Sequence, residues 1–460
     1  LADSSPDLAG RLAGAVAARD ADTVRACLEA GAAADTPGPD GLPLLCAAVA
    51  GFDHLTAEAL VEGGADQDRE LPDGSTPLLR AVDAGSPILV AVLLGNAPRL
   101  RLPEASRRHL LDLARHWHGT GVAEELRRRT GTAAPAAGRR IDDPDGDTVE
   151  EVSLGGRTVR DGHAAILTRL EWEFGVLAPL GEVMARALPY APTEDSPEDS
   201  NWATVAYFLS RRRGPRVWSE LTALRRHPDP AHRRFLASVL WHRNFLVTAD
   251  RAPDVAQDID FLASWARDEP DARTLAAVLD VYTGHGHPDQ EAVGLRHIGH
   301  PDPRVRAEAV FCVSPERTAR GAAATSALLA LVHDPAPEVR AAVAQAFAPR
   351  FTADNRLAPV IRDALLPLLR DATPWVRRHA AHSLASSDDR TAPTLDALLA
   401  LLDDEDTDLR LEAAWALAHR GDPRAEQAYE RVGPLDAFPE YDHRLPAPHR
   451  YGTSGRADGA

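Results

Sequence analysis

A chain of 460 residues with a formal net charge of −18 exceeds what one compact core accommodates, which leaves two or three domains or an extended array of units packed on their neighbours. Aromatic residues make up only 5% and β-branched residues rarely alternate along the chain, so helix is the default and sheet architectures are excluded as the main theme. The acidic balance, with a pI of about 5.4, lacks the surplus of cations that binding to phosphate backbones requires, and nucleic acid is a disfavoured partner.

Three cysteines, Cys27, Cys46 and Cys312, show neither the spacing of a zinc site nor that of a disulfide framework. No stretch approaches eighteen apolar residues, and the opening LADSSPDLAG lacks the basic and apolar regions of a secretory signal. A cytoplasmic protein with no membrane partner is the expectation. All 51 basic residues are arginine; the codon bias of a high-GC bacterium accounts for this, with avoidance of lysine-directed tagging as the alternative.

The first elements repeat. LEAGAAAD at 28–35 is echoed by VEGGADQD at 61–68, which places Gly31 and Gly64 thirty-three residues apart, and Asp40-Gly41 and Asp73-Gly74 keep the same separation. In DGSTPLLRAVDAG, Thr76 can cap a first turn that Pro77 preorganises. The glycines stand where a helix must stop in a left-handed conformation. These segments resemble the ankyrin repeat family, whose unit is a turn followed by two antiparallel helices. The resemblance implies repeats at about 7–39, 40–72 and 73–101 and a degenerate helical pair at 103–129, with the loop tips near Asp40 and Asp73 as a binding surface.

Residues 130–147, rich in Ala, Gly, Pro and Asp, read as a linker. TVEEVSLGGRTVR at 148–160 alternates Val with polar residues around Gly155-Gly156, the pattern of a small hairpin inserted in the helical framework. Helical periodicity resumes at 161–188, and the acidic loop PTEDSPEDS at 192–200 reads as solvated, with partner binding as the alternative.

From about residue 201 helix pairs follow one another, and an arginine opens each second helix: Arg233, Arg273, Arg306, Arg340, Arg377 and Arg410. HPDPRVRAEAV, DPAPEVRAAVAQAF, DATPWVRRHAAHSL and DEDTDLRLEAAWAL resemble the HEAT repeat family in its short form related to phycobilin-lyase repeats. An Asp at a helix start accepts orphan N–H groups, and an Arg one turn in reaches that Asp or a carbonyl of the adjacent repeat. The ladder Asp334/Arg340, Asp371/Arg377 and Asp404/Arg410 is therefore assigned to stapling between repeats. Residues 433–460 read as a flexible tail.

Candidate chemistry is sparse. His116-Trp117-His118, His285-Gly286-His287 and the His379/His382 pair could each contribute metal ligands, but no carboxylate or cysteine pattern completes a set. No His is followed by Glu, which disfavours the di-iron hydroxylases of the HEAT class, and no phosphate-binding loop or nucleophile elbow occurs. The arginines at 211–213, 225–226 and 233–234, alongside Trp202, Trp218 and Trp241, are the strongest sign of a nucleic-acid binder or of a glycosylase-like or lyase-like enzyme. Of the five tryptophans at 172, 202, 218, 241 and 265, most are expected in the core, with anchoring of a protein or peptide partner as the alternative.

The expectation is an all-α fold: an α-solenoid of ankyrin-like repeats (1–129), a linker and hairpin (130–160), HEAT-like repeats (161–432) and a tail. It carries no cofactor and serves as a non-catalytic scaffold for a protein or peptide. Second helices of HEAT-like units line the concave side, so the partner-facing residues are expected to be Arg234, His242, Arg243, Arg304, Arg378, His379 and His382.

Overall fold

The structure is a computed structural model that describes residues 5–143, 146–193, 196, 198–245, 252–284, 286–313, 322–348, 358–387, 389–439 and 442–446. The chain is mostly helical and separates into two compact units, Leu1–Leu246 and Val247–Ala460. Among the described residues no helix is long and apolar enough to cross a membrane.

The first unit opens with three helix pairs: Ser5–Ala18 with Ala21–Glu29, Leu44–Ala50 with His54–Glu62, and Pro77–Ala84 with Pro87–Leu94. The thirty-three-residue period is written in the backbone. Between the helices of each pair one residue has positive φ, Arg19 (59°), Phe52 (55°) and Gly85 (73°), and after each pair so do Gly31 (96°), Gly64 (95°) and Ala97 (51°). The next residue caps each second helix: the side chains of Asp20, Asp53 and Ser86 accept the N–H groups of Thr23, Thr56 and Leu89. Glycine is required only at 85, where an added Cβ would lie 1.9 Å from the carbonyl oxygen of Arg160. Glu104–Thr120 and Val122–Thr130 complete this stack.

The hairpin at 148–160 is present with one strand more than expected. Strands β1 (Ala137–Asp142), β2 (Thr148–Leu154) and β3 (Arg157–Arg160) form an antiparallel sheet in that order. Both turn glycines have positive φ, 58° and 78°, as a two-residue hairpin connection demands. The linker reading of 130–147 is thus corrected. AGRRID makes an exposed edge strand held by backbone pairing and by an Arg139–Glu151 ion pair of 2.7 Å, so it carries no alternating apolar face. Asp147, from the same segment, is 1% exposed. It accepts hydrogen bonds from the Ser86 hydroxyl, from Ile88 N–H (2.8 Å) and from Arg160 Nη1 (2.8 Å), tying the sheet to the third helix pair.

Nor does a domain boundary fall at 130–160. Ile166, Leu167, Leu170 and Phe174 of helix His163–Phe174 share one apolar core with Leu89, Leu93 and Leu110 of the preceding helices. The acidic loop also ends in structure: Asp199 is buried, caps helix Ser200–Ser210 and pairs with Arg140 at 2.6 Å.

In the second unit Ala272–Thr283, Pro303–Cys312, Pro337–Phe347, Pro374–Ala385 and Thr407–His419 pack side by side in sequence order, each preceded by a first helix. Pro stands at the first helical turn of three of them, Pro303, Pro337 and Pro374, after Asp302, Ala336 and Thr373, which sets where those second helices begin. The tail reading is corrected for its described part. Leu445 is 1% exposed within the core of this unit, and Tyr429 donates its hydroxyl to the Arg444 carbonyl at 2.7 Å.

Candidate functional site

The ladder arginines phase the second unit. Arg306 grips Asp334 through Nε (2.9 Å) and Nη2 (2.7 Å), and Arg340 grips Asp371 through Nε (2.7 Å) and Nη2 (2.8 Å). Arg377 approaches Asp404 at 3.4 Å. Each carboxylate belongs to the following repeat. The acid of the arginine's own repeat supplies only its backbone carbonyl: Asp334 to Arg340 (2.8 Å), Asp371 to Arg377 (3.1 Å) and Asp404 to Arg410 (2.8 Å). The side-chain pairs expected within one repeat are therefore replaced by pairs one repeat on. The Asp side chain is turned to cap its own helix start, as Asp371 does for the Thr373 N–H at 2.9 Å, and faces the preceding repeat. Arg410 reaches the Val432 carbonyl at 3.2 Å. The Arg340 guanidinium holds the Asp371 carboxyl below the usual range.

Two and five residues beyond Arg306, Arg377 and Arg410 lie Glu308 and Phe311, His379 and His382, and Glu412 and Trp415, and five beyond Arg340 lies Gln345; all are partly or well exposed except Glu412, whereas Ala342, two beyond Arg340, is buried. His382 Nδ1 lies 3.0 Å from Glu412 Oε1, and this carboxylate raises its pKa, whereas burial lowers that of His379. Arg378 pairs with Asp406 at 2.7 Å. Trp375 is 41% exposed and sets its ring edge against His379, while Trp415 stacks on His419 and meets the edge of His443. Arg444 bridges Asp408 and Glu412 at 3.1 Å each.

Of the expected partner-facing residues, Arg378, His379 and His382 thus share one helix and one neighbourhood. Arg304 lies on Pro303–Cys312, its guanidinium bound by Asp302 (2.7 Å). Arg234, His242 and Arg243 belong to the first unit, on Pro230–Phe245. Arg234 is partly buried, and His242 meets Tyr207 and Trp241 edge-on. Arg243 is a correction. It is 8% exposed and stacks on Trp218, because it falls on the helical stripe of Leu236, Val239 and Leu240. Asp40 and Asp73 close their own turns, accepting the N–H groups of Leu42 and Ser75 at 3.0 Å. Trp375, Glu412, Trp415 and Arg444 escaped the sequence reading, although counting from the ladder arginines marks Glu412 and Trp415.

The arginine-rich middle region is largely committed to internal contacts. Arg212 donates to the Ala178 carbonyl, Arg213 to that of Ser210, Arg233 to that of His227, and Arg211 lies over Trp172 and Tyr207. Trp202 and Trp265 are fully buried, and Trp241 is 39% exposed. His116 pairs with Glu125 at 2.9 Å and His287 with Asp260 at 3.2 Å, while His285 lies outside the described residues. Among the described residues no three metal-binding side chains converge.

The family model for HEAT repeats matches residues 259–348 and 362–430. The C-terminal region carries HEAT repeats. Similar solved structures include an engineered protein, at 14% identity and a TM-score of 0.35 over 93% of this chain and 99% of its own. Another is Kap121p bound to Pho4p, at 14% identity and a TM-score of 0.36 over 93% of this chain. The chain spans 47% of the length of Kap121p in that structure. No curated protein matches the sequence.

Proposed function

We propose that the chain is a non-catalytic cytoplasmic scaffold that holds a protein or peptide on the second-helix face of its HEAT repeats. The face centres on Trp375, His379, His382, Glu412 and Trp415, with Arg378 at its edge. The carrying observation is Trp375, left 41% exposed on its second helix. Helix packing has no use for a large aromatic side chain on an outward face, whereas partner recognition concentrates there on tryptophan and arginine. His382 and Arg378 are held in place by Glu412 and Asp406 of the neighbouring repeat, so their ordering does not have to be supplied on binding.

The helix pairs of 1–129 are read as ankyrin-like, on the strength of their thirty-three-residue recurrence of caps and positive-φ residues. The turns at Asp40 and Asp73 would give a second, separate surface. The arginines of the middle region, bound to backbone carbonyls and aromatic rings, are poorly placed to release counterions from a nucleic acid.

Affinity capture from the native cell extract tests this, with the wild-type chain set beside Trp375→Ala and Trp415→Ala variants of unchanged melting temperature. A protein retained by the wild type and lost from the variants supports the scaffold. Nucleic acid as the sole retained species, or a protein retained equally by all three, overturns it.

A further inference from the structure

Among the described residues seven large hydrophobic side chains are exposed, and three of them, Leu100 (90%), Leu177 (70%) and Val176 (37%), belong to one neighbourhood of the first unit. Leu100 sits on the single helical turn Pro98–Arg101, and Val176 and Leu177 follow the helix His163–Phe174, which packs on that turn. The Arg99 guanidinium lies against Gly175, where an added Cβ would meet Nη1 at 2.8 Å. Scattered exposed aliphatics are ordinary on a protein surface, whereas a cluster of them marks a contact.

Both segments are held from beneath, so the exposure is built in. Arg101 donates to the carbonyls of Leu93 (3.1 Å) and Leu94 (2.9 Å), and Leu102 is 6% exposed, which fixes the turn that carries Leu100. The Val176 N–H donates to the Glu171 carbonyl at 2.7 Å, and Arg212 to that of Ala178 at 2.7 Å, which fixes the other segment. Cations flank the aliphatic tips. Arg99 is exposed, Arg107 Nη1 lies 3.5 Å from the Arg99 carbonyl oxygen, and neither has a carboxylate partner among the described residues. The nearby acids are spent on other arginines, Glu104 on Arg108 (2.6 Å), Glu182 on Arg186 (2.7 Å) and Glu171 on Arg186 (2.8 Å). The chain's net charge of −18 resides mostly elsewhere, and salt screens it beyond about 8 to 10 Å.

We propose that this patch rests on the anionic surface of a lipid bilayer, with Leu100 and Leu177 entering the interface and Arg99 and Arg107 meeting the phosphate headgroups. Side chains at 90% and 70% exposure stand proud of the surface instead of lining a groove. A protein or peptide partner would have to offer pockets shaped to receive them, whereas a bilayer interface yields to any aliphatic tip. The charge selects the lipid, since anionic headgroups draw guanidinium groups held at their surface. A nucleic-acid backbone would answer the arginines and leave the aliphatic tips in water. The expectation of no membrane partner rested on the missing apolar span, which contact at the surface does not need. This patch lies within the first unit and does not depend on the second-helix face of the HEAT repeats.

Co-sedimentation of the full chain with vesicles tests it, an equimolar mixture of phosphatidylglycerol and phosphatidylcholine being set beside phosphatidylcholine alone. Partition into the anionic vesicles is expected to exceed that into the neutral ones and to weaken with added salt. It should fall about tenfold or more in the double variant Leu100→Asp/Leu177→Asp, and by a similar factor in Arg99→Gln/Arg107→Gln. Because Leu100 and Leu177 are exposed, the first double variant keeps the wild-type melting temperature. No partition into anionic vesicles overturns the proposal, as does equal partition of the wild type and Leu100→Asp/Leu177→Asp. Binding of an amphipathic peptide of Glu and Leu, lost in the same variant while vesicles are ignored, also overturns it and assigns the patch to a protein.

Discussion

Arg340 binds the side chain of Asp371, thirty-one residues ahead, and the backbone carbonyl of Asp334, six residues behind, at 2.7 and 2.8 Å. One guanidinium thus joins the turn of its own repeat to the helix start of the next. Both side chains of the ion pair are largely buried, at 17% and 9% exposure. Removing one partner leaves the other charge poorly solvated, so Arg340→Ala is expected to cost about 2 kcal/mol. Arg340→Lys should not restore it, because an ammonium cannot span the carboxylate and the carbonyl together. Thermal melts of the two variants check this. Since Asp371 is held below its ordinary pKa, its contribution is present above the unfolded value and is lost as the pH falls through the folded one.

Gly85 and Gly31 both have positive φ, but only Gly85 faces a backbone atom within clashing distance. Gly85→Ala is expected to destabilise the first unit by about 2 kcal/mol or more, and Gly31→Ala by about 1 kcal/mol, the cost of the dihedral alone. Denaturant melts of the two single variants give the comparison.

His163 stacks on Trp117 with ring centroids 4.9 Å apart, and burial pushes its pKa from 6.5 down to about 3. The unfolded chain takes up this proton near 6.5 while the folded chain refuses it, so stability falls as the pH drops from about 6.5 toward 3. A histidine-selective NMR titration should show no His163 transition above about pH 4, and His163→Phe should flatten the acid limb of the stability profile.

His382 has the opposite sign. Its hydrogen bond to Glu412 raises its pKa, so the pair's contribution is full below the unfolded value and is lost as the pH rises through the folded one. Glu412→Gln should return the His382 titration to the ordinary histidine range, read by the same NMR experiment.

Leu445 is buried against the last repeats although it lies in a Pro-rich terminal segment. Leu445→Ala is expected to cost about 2 to 3 kcal/mol, measured as a lower melting temperature of the second unit. A purely solvated tail would leave the melt unchanged.

The repeat grammar was legible because it is local. Gly31 and Gly64, Thr76-Pro77, and the Asp-containing turns before the ladder arginines act within one turn of helix, where residue type dictates backbone geometry. Partner choice was not. Whether Arg340 pairs with Asp334 or with Asp371 depends on which way the capping Asp turns, and that is a property of stacked repeats. Strand β1 escaped because an exposed edge strand needs only backbone pairing and leaves no apolar period in AGRRID. Asp147 escaped for a different reason, since its partners Ser86, Ile88 and Arg160 are brought together only by tertiary packing. On the second-helix face, Arg378, His379 and His382 could be named from periodicity, whereas Arg243 could not be told from its neighbour His242 without knowing which flank of the helix is buried.

The most direct test of the binding face is side-chain footprinting of the chain alone and in complex with its captured partner. The account predicts protection at Trp375, His379, His382 and Trp415, with Trp241 and the turns at Asp40 and Asp73 unchanged. Protection confined to those turns or to the Pro230–Phe245 helix, with Trp375 and Trp415 reacting as in the free protein, would contradict it.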